Sequence, residues 1–215
     1  MKKYNLVYLL LFFTLSITSC QKDADDLLGG NSNNQGGGSN NNTGIVGDYN
    51  FINVTAHTVA EVSVTDGGVN LKSITTSDYI TKNNVGTMKI TATDLVGTGI
   101  GYSVDTVMNV KTYLDGVLFD DSQFPFTGTY PPSNSTSPYV KNTNDSITVT
   151  GAMGVPSGGT TGGTIPTGPI GFKYKWSADT LILTTNTITN QSIVQGGVPA
   201  TVKSSANVTM KLKKK

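Results

Sequence analysis

Along residues 45–215 the apolar side chains recur at every second position, and no segment repeats them at the three-and-four spacing of an amphipathic helix. A strand turns successive side chains to opposite faces, so a chain patterned this way is committed to half-buried strands. In the first strand Tyr49, Phe51 and Asn53 are expected on one face and Ile52, Val54 and Ala56 on the other. Val62 and Val64 lead through Asp66-Gly67-Gly68 to Val69 and Leu71, a hairpin signal. Met88 and Ile90 alternate with Thr87 and Lys89. A longer run, Tyr102, Val104, Thr106, Met108, Val110, Thr112 and Leu114, ends at Asp115-Gly116, a preferred two-residue turn, before Val117 and Phe119.

The pattern continues through Ile147 and Val149, then through Ile170, Phe172, Tyr174 and Trp176, which have Lys173 and Lys175 on the opposite face. Ser177-Ala178-Asp179 turns into Leu181 and Leu183, and Val208, Met210 and Leu212 close the chain. Two stretches interrupt it, residues 131–138 and the Gly/Pro-rich residues 151–169, and both read as loops. Abundant Thr, Ser, Asn, Gly and Val support β structure. Residues 45–215 are expected to form one all-β domain, burying about 70% of its unfolded surface. Eight to ten strands joined mainly by hairpins suggest an up-and-down antiparallel β-barrel, with a two-sheet sandwich as the alternative.

The N-terminus has a different logic. Lys2 and Lys3 precede a mostly apolar stretch from Leu6 to Ile17, which has signal-peptide length and is too short to span a bilayer. Ile17-Thr18-Ser19-Cys20 resembles the bacterial lipobox, in which small residues fit the peptidase cleft and the cysteine thiol takes a diacylglyceryl group. The resemblance implies a signal peptide over residues 1–19 and an acylated, palmitate-type anchor on Cys20. Cys20 is the single cysteine, so a disulfide within one chain is excluded. Gln21-Lys22-Asp23-Ala24-Asp25-Asp26 is similar to the acidic export signal of lipoproteins from the Bacteroidetes phylum. In that signal Lys22, Asp23, Asp25 and Asp26 would route the chain to the outer membrane, facing the exterior.

Residues 20–44 are expected to be a lipidated start followed by a tether. Residues 29–44 are drawn only from Gly, Asn, Ser, Gln and Thr and can bury nothing. As a flexible coil residues 20–44 would hold the domain on the order of 25–30 Å from the lipid. Thirteen of the fifteen lysines follow Cys20, against fourteen acids, and there is no arginine. A near-neutral chain without arginine has no basic field for nucleic acid, so nucleic-acid binding is not expected.

A glycine followed by an aromatic pair in strand one (Gly47, Tyr49, Phe51), a late aromatic strand turning into Asp179-Thr180-Leu181-Ile182-Leu183, and a final strand ending in lysines resemble the lipocalin-like lipoproteins of Bacteroidetes. The likeness spans residues 45–215 as a pattern. It departs in having Tyr49 where many lipocalin-type proteins have tryptophan, and in its long Gly/Pro insertion. It implies a lipocalin-like barrel in which Phe51, Tyr102, Phe172, Tyr174 and Trp176 line the interior and contact a small apolar ligand. The same rings would serve equally as packing.

Chemistry-bearing residues are sparse. His57 is the sole histidine and has no second His or free Cys in the mature chain, so a zinc site of that kind is excluded within one chain. By parity it falls on the Tyr49–Phe51 face. Asp115, Asp120 and Asp121 offer oxygens but not calcium-loop spacing. Glu61 is the one glutamate, which leaves a glycosidase short of carboxylates. No catalytic residue, metal or cofactor is expected, and the chain reads as non-enzymatic. Two readings remain open: a barrel that binds a small apolar ligand, and a protein- or glycan-interaction module. The module would act through loops at residues 131–138 and 151–169 and through Tyr113, Tyr130, Tyr139 and Trp176. A protein partner cannot be named from the sequence.

Overall fold

The structure, a computed structural model, describes residues 44–151, 168–195 and 197–215. Its strands are β1 (Gly47–Asp66), β2 (Val69–Ile80), β3 (Lys82–Ile90), β4 (Asp94–Leu114), β5 (Val117–Thr143), β6 (Ser146–Val149), β7 (Ile170–Ser177), β8 (Thr180–Gln195) and β9 (Val198–Lys214). Every pairing is antiparallel, and β9 returns to β1, so the sheet closes in a ring. The fold is therefore all-β and barrel-like, as the alternation predicts.

β2 and β3 occupy one position in this ring. The second half of β1 pairs with β2 and its first residues with β3, and β4 divides its pairing in the same way. Thr81 holds the break together: its N–H donates to the Val54 carbonyl and its Oγ1 accepts from the Val54 N–H, both at 2.9 Å. Just beyond, Gly86 lies at φ 102°, where a Cβ would sit 2.4 Å from the Gly99 carbonyl oxygen. Only glycine allows that backbone approach. At the β4–β5 hairpin Asp115 and Gly116 both have positive φ (50° and 82°), the geometry that two-residue turns of this kind require.

The barrel is filled by its own side chains. Tyr49, Phe51, Val54, Ile90, Leu183 and Leu212 belong to a single buried cluster to which each of the ring's strand positions contributes. Because β6 and β7 are short and β3 stops low, β5, β4, β2, β1, β9 and β8 run on past the closed part as a six-stranded sheet. Its inner face is built largely from small residues. One row reads Thr187, Ala206, Thr58, Ser77, Met108 and Phe124, and the next reads Thr189, Ser204, Ala60, Thr75, Val110 and Ser122.

Two sequence expectations are corrected here. Residues 131–138 are not a loop but part of β5. Above Tyr139, β5 has β4 as its only strand neighbour among the described residues, and an edge strand tolerates proline. The ladder accommodates Pro131 and Pro132 at the register shift between Ile100 and Tyr102, while Pro138 pairs in register with Asp94. In β1, a bulge between Phe51 and Asn53 resets the alternation. Val54, Ala56 and Thr58 therefore join Tyr49 and Phe51 inside, and His57 turns outward. The second expected loop, residues 151–169, falls mostly outside the described residues.

Candidate functional site

Cys20, Lys22, Asp23, Asp25 and Asp26 lie outside the described residues, so the anchor and export expectations stand on sequence alone. The five interior aromatics can be placed. Phe51, Tyr102, Phe172 and Tyr174 are buried in the barrel cluster. Phe51 and Tyr102 lie 6.2 Å apart at 57°, and Tyr102 meets Tyr130 at 4.6 Å. Such tilted pairs suit the ring quadrupoles and stiffen the packing.

Trp176 differs. It follows the parity of Phe172 and Tyr174 but comes last on β7, so it sits at the barrel rim, 39% exposed. Its Nε1–H donates to the Gly44 carbonyl at 3.2 Å, its ring lies 6.2 Å from Tyr49, and the Lys214 ammonium stands 5.9 Å from its centre. Three contacts thus hold the indole over the end of the core, where the chain enters β1.

Burial also sets the state of the phenols. Tyr49 is pushed up to about 12 by burial, with Tyr139 and Asp48 adding to the shift. Tyr79 is likewise pushed up to about 12 by burial and then by Tyr130. Tyr102, held between Tyr130 and Tyr79, is raised further, mainly by burial. These hydroxyls stay protonated through the physiological range and act as neutral packing groups. Tyr139, expected on the surface, is only 5% exposed and donates to the Thr91 carbonyl at 2.8 Å. Tyr130 does reach solvent and Tyr113 is half-buried, close to the Lys72 ammonium.

His57 pairs with Asp78 at 2.7 Å on the outer surface, both side chains more than half exposed. They flank an open recess of ≈ 400 Å³ that includes Tyr79, Ile80 and Asn207. Another shallow recess lies beside the Lys82–Asp105 ion pair. The acids at the β4–β5 hairpin are engaged separately: Asp115 accepts from the Asn70 N–H, Asp120 from the Ser122 hydroxyl, and Asp121 faces Lys111. Among the described residues no group of three His, Cys, Asp or Glu side chains comes together.

What sequence reasoning missed is the apolar exterior. Val117, Leu118 and Phe119 are exposed beside the β4–β5 turn, Val107 lies on β4, and Ile188 and Val194 lie on β8 at 73% exposure each. Alternation marks Val117 and Phe119 as strand residues but does not say that they face solvent instead of a core. No family model, curated protein or solved structure matches the chain.

Proposed function

We infer that the chain is a lipid-anchored, surface-displayed outer-membrane protein that works by binding through the exterior of its β domain, not by catalysis. The observation that carries the binding part is the run Val117, Leu118 and Phe119, three consecutive large apolar side chains exposed at one hairpin beyond the closed barrel. Apolar groups gathered on an outer surface are the usual mark of an interaction site. The interlocked interior rings support the same reading, since they serve as packing. The lipobox at Cys20 and the acidic run after it support the address.

Placement is tested by changing Asp23, Asp25 and Asp26 together to Ala. The variant should be protected when intact cells are shaved with protease, whereas the parent is digested. Equal digestion of both would remove the export reading.

A second reading, a small apolar ligand held beside Trp176, is favoured by the position of that ring at the open rim of an aromatic-lined barrel. Titrating the folded protein with a fatty acid while following Trp176 fluorescence separates the two. A flat response leaves the exterior as the working surface. A saturable shift in the parent, together with fatty-acid affinity weakened in Trp176→Ala by isothermal calorimetry at an unchanged melting temperature, assigns the ligand to the rim.

A further inference from the structure

We propose that the outer edge of β8, residues 185–195, is a self-pairing edge that joins two copies of this chain into a symmetric dimer. β7 pairs with β8 only over residues 180–184, while β9 follows β8 to its end. Beyond Thr184, β8 therefore has a strand neighbour on one side only among the described residues. An antiparallel strand in that position turns alternate N–H and C=O groups outward, ready to pair.

Protein sheets usually protect such an edge with charge or proline. The sheet's other edge, on β5, which before Tyr139 has only β4 beside it among the described residues, carries both: Asp120 and Asp121, then Pro125, Pro131 and Pro132. Residues 185–195 read Thr-Asn-Thr-Ile-Thr-Asn-Gln-Ser-Ile-Val-Gln and contain neither. Two copies of this edge can meet without bringing like charges together, whereas two copies of β5 would bring four carboxylates together. Lys203, opposite Asn190 on β9, is the nearest lysine on the neighbouring strand. Its counterpart would lie three strand spacings away, roughly 14 Å, beyond the Debye length of about 8 Å at physiological salt.

The sequence also fixes a register. With a two-fold axis through Gln191, Ile188 of each copy faces Val194 of the other, so two pairs of exposed aliphatic side chains form on one face, one on each side of the axis. Asn190 then faces Ser192, and Thr189 faces Ile193. Residues of like parity oppose one another, as a ladder needs when both edges offer the same alternate backbone groups. Such an isologous contact is closed, so assembly stops at two copies.

The test uses the full chain in its own membrane with one added cysteine. Gln191→Cys places the new thiol on the axis, where directly opposed Cβ atoms lie about 4.5–5.5 Å apart. Ile188→Cys is the control, because its counterpart would be offset by six residues, roughly 20 Å. Both variants retain Cys20, so any crosslinking through that residue appears equally in the two. Mild oxidation should give a covalent dimer of Gln191→Cys at least ten-fold more efficiently than of Ile188→Cys. Adding Ile188→Lys, an exposed change, should cut the Gln191→Cys product at least ten-fold. Sedimentation of the unmodified chain in detergent should show a dimer. Equal crosslinking of the two cysteine variants, a product joined to a different chain, or a monomer in sedimentation would overturn the proposal.

Discussion

Tyr49→Ala is expected to destabilise the domain by about 3–5 kcal/mol, the usual range for truncating a fully buried aromatic. The side chain is wholly inaccessible, faces Trp176 and donates its hydroxyl to the Ile45 carbonyl. It joins the segment entering β1 to the barrel core, so its loss leaves both a cavity and a carbonyl without a donor. Tyr49→Phe separates the two effects. It keeps the ring and should cost about 1–3 kcal/mol, from the unpaired carbonyl alone. Urea denaturation of parent and variants measures both, with slopes that should agree if unfolding is two-state.

The same phenol adds a pH arm. Its folded pKa of about 12 lies above the unfolded value of 10.0, so the folded state holds the proton more tightly. The associated stability is complete below about pH 10 and is lost as pH rises towards about 12. Tyr79 and Tyr102 act in the same direction. The parent should therefore lose stability steadily above pH 10, and Tyr49→Phe should lose it less steeply over that interval. Equal slopes would show that Tyr49 titrates alike in both states.

The barrel was legible in the sequence because its inward positions are large and apolar. Tyr102-Val104, Phe172-Tyr174, Leu181-Leu183 and Val208-Met210-Leu212 all point inward as their alternation predicts. The extended sheet was legible only in part: its hairpins at Asp66-Gly67-Gly68 and Asp115-Gly116 and the run from Met108 to Leu114 follow the sequence pattern, whereas β8 beyond Thr184 does not. Its inner rows on β8, β9, β1 and β2 are Ser, Thr and Ala, and in residues 185–190 threonine alternates with asparagine and isoleucine with little contrast between faces. Two further errors have local causes. One extra residue at the β1 bulge reverses the parity of everything after it, which moved His57 to the wrong face. The prolines at 131, 132 and 138 signal a loop in a central strand but are compatible with an edge, and sequence alone did not place β5 at an edge. The aromatic set was read correctly for four of its five members as buried, while Trp176 sits at the rim because β7 ends there.

Cys20→Ser is expected to have the largest cellular effect, abolishing the membrane anchor. Each buried methylene contributes about 0.8 kcal/mol, so stable attachment needs more than one acyl chain, which a lipidated N-terminal cysteine supplies. Serine has no thiol to accept the diacylglyceryl group, and no other cysteine in the chain can replace it. The variant should therefore either leave the membrane fraction or remain unprocessed with its signal peptide attached. Because residues 29–44, which separate residue 20 from the β domain, carry no side chain able to bury apolar surface, the domain's melting temperature should not change. Metabolic labelling with a radioactive fatty acid tests the anchor directly. The account predicts a labelled parent and an unlabelled Cys20→Ser variant; a variant that still takes up label, or a parent that takes up none, would contradict it.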